Sequence, residues 1–234
     1  GRFTDLYSRG IIITKNLQYM ILDEADKMMD MGFMPQIRKI LEVIPRKRKN
    51  LLFSATFPEK VEILSEEFLE APLKIEVTPQ ATTATTVTQR LFHVPNFRTK
   101  INLLAHLFSK EELQRTIIFT RSKIVADNVY HFLERKVIGT ENIRVIHANK
   151  GQNTRINSIE AFKEGNIRVL VATDVAARGI DIREVSHVIN FDVPVIYEDY
   201  VHRIGRTGRA YHEGVAITFV TEAEEYHVRK IEKI

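Results

Sequence analysis

The sequence predicts an α/β protein in which a three-layer parallel sheet is built twice. Three observations carry this. Short continuous apolar runs recur along the chain. Between them lie segments whose apolar residues repeat every three to four positions, as one face of a helix does. Residues 78–89, TPQATTATTVTQ, then divide the chain: twelve residues, six of them Thr and none charged, with too little apolar surface to bury. The expected organisation is therefore a block over residues 1–77, a linker over 78–89 and a longer block over 90–234.

Each run is β-branched or aromatic-rich and apolar on both faces, as in a parallel strand covered on both sides. In order they are Tyr19–Leu22, Leu51–Phe53, Ile117–Phe119, Arg144–Ile146, Val169–Ala172, His187–Phe191 and Ala216–Val220. The helical spacings are Ile101–Leu104–Leu107–Phe108, Val125–Val129–Phe132 and Ile156–Ile159–Phe162. Gly165 stands where the last of these should stop, because glycine tolerates the left-handed turn that closes a helix. Alternating strands and helices give a parallel sheet with helices on both faces.

Composition narrows the function classes. With 234 residues and 44% hydrophobic content a sizeable core can form, and 27% charged residues are ordinary for a globular chain. There is no Cys, which excludes a disulfide framework and a thiolate metal site and fits a reducing compartment. No apolar run approaches the ~20 residues of a membrane-spanning helix. The His residues show no metal-ligand spacing. The net charge of +4 lies entirely in the rear block: residues 1–77 hold 12 basic and 12 acidic residues, residues 90–234 hold 22 and 18. That excess is compatible with a polyanionic partner without requiring one.

Several constellations can carry chemistry. Asp23-Glu24-Ala25-Asp26 follows directly on the Tyr19–Leu22 run, and in open parallel sheets ligands bind beyond the carboxyl ends of the strands. Asp23 can hold a hydrated Mg²⁺, which needs only one or two carboxylates, while Glu24 can deprotonate an attacking water. An acidic strand-to-helix turn accounts for the same four residues. Ser54-Ala55-Thr56 ends the next run and can hydrogen-bond these acids. In the rear block Arg203, Arg206 and Arg209 recur every third residue, and Gly205 and Gly208 precede two of them. The guanidinium fork matches phosphate oxygens, so this segment reads as a phosphate binder. Thr173, Asp174, Arg178, Gly179 and Asp181 follow a strand, where they serve either a ribose or internal salt bridges. Gln152 and Arg155 open a helix whose N-terminus attracts phosphate, and Arg121, Ser122 and Lys123 lie just past a strand.

Together, ILDEADKMMDMGF, LLFSATFP, VLVATDVAARGIDI and DYVHRIGRTGRA stand in the order and spacing of the DEAD-box family of ATP-dependent RNA helicases. The chain resembles that family over nearly its whole length, and DMGF, HANK and YVHRIGRTGRAYHEG are most similar to its bacterial RhlE-like branch. The resemblance implies two RecA-like domains, the first incomplete, that close over ATP and single-stranded RNA in the cytoplasm. It implies Mg²⁺ held through water by Asp23, and Glu24 as catalytic base. It makes Asp26, Ser54, Thr56 and His202 the groups that couple nucleotide state to closure. Arg206 and Arg209 become arginine fingers, Gly179 and Asp181 lie toward the nucleotide's ribose, and Arg2, Ser122, Arg155 and Thr173 touch RNA. Two departures matter. The family's phosphate-cradling loop ends in Gly-Lys, and this sequence has no Gly-Lys dipeptide. Gly1 and Arg2 resemble the tail of a Pro-Thr-Pro-Gly-Arg motif, as if the chain starts inside a domain. This piece alone is thus expected to be inactive; a non-catalytic RNA-binding module and a DNA-acting relative in the same superfamily are the competing readings.

Overall fold

The computed structural model describes all residues except 77–86, 111–112, 178–179, 181, 183–184, 209–212 and 234. The chain divides into two compact units, residues 1–77 and 78–234.

In the first unit the order is α1 (Arg2–Ser8), β1 (Tyr19–Leu22), α2 (Ala25–Asp30), α3 (Met34–Val43), β2 (Lys49–Leu52) and α4 (Glu59–Phe68). The two strands pair in parallel, Tyr19 opposite Lys49 through Leu22 opposite Leu52. Leu22, Ala25, Met29, Ile37, Val61, Leu64 and Phe68 form the core, so α2, α3 and α4 cover one face. The other face is bare: Tyr19, Ile21, Leu51 and Phe53 are all exposed. This corrects the expectation that these strands are covered on both sides. The apolar runs carry the composition of a doubly covered strand, but among the described residues only one layer of helices packs on them.

The second unit has β3 (Val87–His93), α5 (Phe97–Lys110), β4 (Thr116–Thr120), α6 (Lys123–Leu133), β5 (Ile143–Ile146), α7 (Gln152–Lys163), β6 (Val169–Thr173), α8 (Asp174–Ala177), β7 (His187–Asn190), α9 (Tyr197–Ile204), β8 (Gly214–Val220) and α10 (Glu225–Ile231). The six strands lie in the order β3-β8-β7-β4-β6-β5, every pair parallel. Successive residues of β4 feed opposite faces. Ile118 joins the core formed with Leu104, Val129 and Leu133, while Ile117 and Phe119 join Phe162, Ile167 and Ala177. Here the sheet is covered on both sides and the three-layer expectation holds. After α7, Gly165 has φ +79 and donates to the Phe162 carbonyl at 3.3 Å; Asn166 donates to the Ala161 carbonyl at 2.9 Å. That is the left-handed helix stop the sequence indicated.

Strand β3 corrects the linker boundary. Residues 87–89, assigned to the linker, begin a seven-residue strand that pairs throughout with β8. It is an edge strand, and most of its residues are exposed, so its start, Val87-Thr88-Gln89, carries no apolar run to announce it. Residues 78–86 of the expected linker lie outside the described residues. Because all six strands run the same way, β4, β5, β6, β7 and β8 deliver Ser122, His147, Asp174, Asp192 and Thr221 to one edge of the sheet. No helix among the described residues is long and apolar enough to cross a membrane.

Candidate functional site

In the first unit the acids do not share one role. Asp26 is buried, and its carboxylate is spent on the neighbouring turn. Oδ2 accepts from the Thr56 hydroxyl at 2.9 Å and the Thr56 backbone N–H at 3.1 Å, and Oδ1 accepts from the Lys27 backbone at 2.9 Å. Ser54 closes the clasp. Its hydroxyl accepts from the Asp26 N–H at 3.1 Å and donates to the Thr56 carbonyl at 2.6 Å. Burial pushes the Asp26 carboxyl up, but the Thr56 and Lys27 hydrogen bonds outweigh it and hold the group below the usual carboxylate range.

Asp23 and Glu24, by contrast, are exposed beyond the carboxyl end of β1. One Asp23 oxygen accepts the Glu24 N–H at 2.9 Å. Glu24 is left-handed, φ 51 and ψ 47, a conformation costing a non-glycine residue about 1 kcal/mol or more. The turn is fixed from both sides, by Ala25 N–H donating to the Phe53 carbonyl at 3.0 Å and Phe53 N–H to the Leu22 carbonyl at 2.8 Å. So the strand-to-helix turn is real, but Glu24 makes no side-chain capping bond and its carboxylate faces solvent. Asp23, one exposed carboxylate at this turn, fits a hydrated Mg²⁺ completed by water and phosphate rather than an all-protein cage. No group of three or more His, Cys, Asp or Glu side chains among the described residues could form such a cage. Arg2 is exposed at the start of α1.

In the second unit the three arginines of the Gly-Arg segment separate by burial. Arg203 is 2% exposed. Its Nε and Nη2 grip Asp174 at 2.6 and 2.8 Å, and Nη1 donates to Asn190 Oδ1 at 3.1 Å and the Asp192 carbonyl at 2.7 Å. Its guanidinium lies 5.1 Å from the Phe119 ring centre. This corrects the reading of Arg203 as a phosphate binder: each of its three guanidinium nitrogens already donates to the protein, and the side chain is buried. Arg206 is half-buried at the end of the same segment, with Nη1 on the Ile180 carbonyl. Arg209 lies outside the described residues, as do Gly179 and Asp181. Gly205 has φ −66 and closes α9, its N–H on the Val201 carbonyl at 2.9 Å. Gly214 packs tightly against this segment: a Cβ there would collide with the Thr207 side chain and the Gly208 backbone nitrogen.

His202 is exposed, 3.9 Å from the Asp199 carboxylate. Ser122 caps α6, accepting from Val125 N–H at 3.3 Å. Arg155 donates to Gln152 Oε1 and the Ala176 carbonyl, both at 3.3 Å, which draws the start of α7 to α8 just past Thr173. Its Nε is buried without a hydrogen-bond partner among the described residues. A further network escaped the sequence reading. Lys100, 3% exposed, bridges Asp192 at 3.1 Å and Glu224 at 2.8 Å. Glu224 also takes Arg121 and completes a capping box with Thr221. Only a polar residue at the face of an apolar helix period, Lys100 between Phe97 and Ile101, could have flagged it.

Residues 1–64 match the family model described as DEAD/DEAH box helicase, and residues 99–211 match that of the helicase conserved C-terminal domain. The chain belongs to the DEAD-box helicase family. It is 42% identical to the DEAD-box ATP-dependent RNA helicase RhpA of Helicobacter pylori over 92% of this chain and 43% of that protein. It is likewise 42% identical to the ATP-dependent RNA helicase RhlB of Pseudomonas syringae over 100% of this chain and 58% of that protein. The chain thus spans about half the length of these curated relatives. Among solved structures, Saccharomyces cerevisiae Dbp5 bound to RNA and ADP BeF3 superposes with a TM-score of 0.83 at 30% identity. That match covers 99% of this chain and 60% of Dbp5. As a DEAD-box chain it has the expected fold, parallel-sheet α/β in two units. The relatives named here do not establish the RhlE-like branch.

Proposed function

We propose that the whole protein is a cytoplasmic ATP-dependent RNA helicase that separates short duplexes locally by closing its two domains over ATP and one RNA strand. The observation that carries this reading is the division of labour in the Asp23–Asp26 turn. Asp26 is consumed by Ser54 and Thr56, while Glu24 is held in a strained, solvent-facing pose from which it can take a proton from an attacking water. Asp23 would hold Mg²⁺ through water; when bound, that ion supplies positive charge beside the transferring phosphoryl group. Because Asp26 joins the Ser54–Thr56 turn to α2, a change in either turn is transmitted to the other, and we assign these three residues and His202 to coupling.

Arg206 and Arg209 are assigned to the phosphoryl charge, where a guanidinium contributes ~10³–10⁵ in rate. Gly179 and Asp181 are assigned to the nucleotide. Arg2, Ser122, Arg155 and Thr173 are assigned to the RNA backbone, so binding would be sequence-tolerant and salt-sensitive. DMGF, HANK and the Tyr200–Gly214 segment support the RhlE-like branch within the family.

Two measurements test the proposal. The full-length protein should hydrolyse ATP faster when RNA is added and separate a short RNA duplex, and Glu24→Gln should cut turnover by ~10²-fold or more. Residues 1–234 alone, without a Gly-Lys loop, should show negligible turnover with saturating RNA. Robust hydrolysis by that piece, or a full-length protein that prefers DNA oligonucleotides in competition at one salt concentration, would overturn the assignment.

A further inference from the structure

His147 follows β5 directly, is 2% exposed, and has no part in the chemistry assigned above. Its Nδ1 lies 3.3 Å from the Asn149 backbone nitrogen. A backbone N–H can only donate, so Nδ1 is the acceptor and the ring proton sits on Nε2. Nε2 then donates to Asp127 Oδ1, 3.0 Å away on α6. The same carboxylate oxygen takes Lys150 Nζ at 3.2 Å, and Lys123 Nζ donates to the Asn149 side chain at 3.2 Å. The four residues His147–Lys150 are therefore tied to α6 at two places one helical turn apart. Burial pushes the Asp127 carboxyl up, but the bonds from His147 and Lys150 outweigh it and hold the group below its usual range.

What this tie spans gives it a use. Helix α6 starts at Ser122, its N-cap; the loop runs through Gly151 into α7, whose first turn carries Gln152 and Arg155. We infer that the Nε2-protonated His147–Asp127 pair is a positioning strut that fixes the Arg155 helix start against the Ser122 helix start, so that both reach successive phosphates of one RNA strand. The inference rests on the RNA-binding reading above. The strut touches no RNA itself. It acts by holding two short phosphate contacts at a fixed separation, which a loop carrying Ala-Asn-Lys could not hold unaided.

The test uses the full-length protein and a single-stranded RNA, titrated at several salt concentrations. His147→Ala and Asp127→Ala should each weaken binding about tenfold, the ~1.4 kcal/mol of one decade. Each should also make the log affinity versus log salt slope shallower by ~0.7, the loss of one phosphate contact on a single strand. The double variant should be no weaker than either single. His147→Gln, whose amide can donate in place of Nε2–H, and Asp127→Asn, which keeps an acceptor oxygen, should both bind within about threefold of wild type, under ~0.7 kcal/mol. Single variants that melt earlier yet keep wild-type affinity and slope would reduce the pair to a packing element and overturn the inference. So would a ring proton found on Nδ1 by nitrogen NMR. A wild-type protein that binds no RNA fails the RNA reading itself, and the strut with it.

Discussion

Arg203→Met is the perturbation that most directly separates structure from chemistry in the Gly-Arg segment. Methionine matches the aliphatic stem of arginine, so the substitution keeps the packing of that stem while removing the fork. It strands Asp174, Asn190 Oδ1 and the Asp192 carbonyl, four hydrogen bonds in all, and the contact over Phe119. Removing one partner of a buried ion pair costs about 3–5 kcal/mol because the other charge is left uncompensated. The Asp174 side chain is 24% exposed and recovers some hydration, which places the loss near the lower end, about 3 kcal/mol. Native-state hydrogen exchange of the β4 and β7 amides reads this unit's own opening. A loss of that size speeds their globally protected exchange ~10²-fold, at 1.4 kcal/mol per decade. Arg203→Lys keeps a charge but not the planar fork and should recover less than half. If Arg203→Met leaves β4 and β7 exchange within about threefold of wild type, under ~0.7 kcal/mol, yet abolishes ATP turnover, the assignment of Arg203 to structure is wrong and it holds a phosphate instead.

Lys100→Met should move acid unfolding to higher pH. Burial pushes the Glu224 carboxyl up, but Lys100 and Thr221 hold it below the ordinary range. A carboxyl depressed in the folded state stabilises above its unfolded value of about 4.3 and loses that contribution as pH falls through the folded value. Without Lys100 the loss sets in earlier on acidification, and circular dichroism across a pH series checks it. Glu24→Gly should remove turnover while stabilising the first unit by up to about 1 kcal/mol, since only glycine takes φ 51 without strain, whereas Glu24→Gln should remove turnover and leave stability unchanged. Exchange rates in α2 distinguish the two. Thr56→Val deletes the hydroxyl bond to Asp26, a bond to a charged group contributing about 1.5–3 kcal/mol. It should also shift the Asp26 titration upward, read from carboxyl carbon shifts.

Of the fold and site, the sequence by itself determined whatever repeats locally. β4 and β6 were legible because each apolar residue feeds one face or the other of a covered sheet, and Gly165 because a left-handed stop selects glycine. The Asp23–Asp26 and Ser54–Thr56 segments were legible as partners because each ends a recognisable run. Only the tertiary structure decided the rest. β3 became a strand through pairing with Gly214–Val220, a partner over a hundred residues away that no local pattern announces. Arg203 and Arg206 have the same spacing and the same chemistry in the sequence. One is walled in by Asp174, Asn190 and Phe119 and the other is half-buried beside Ile180, because helix α9 turns one toward the sheet and ends before the other. Burial is a property of the neighbours a side chain meets, and the residues that bury Arg203 come from strands β4 and β7 and from the start of helix α8.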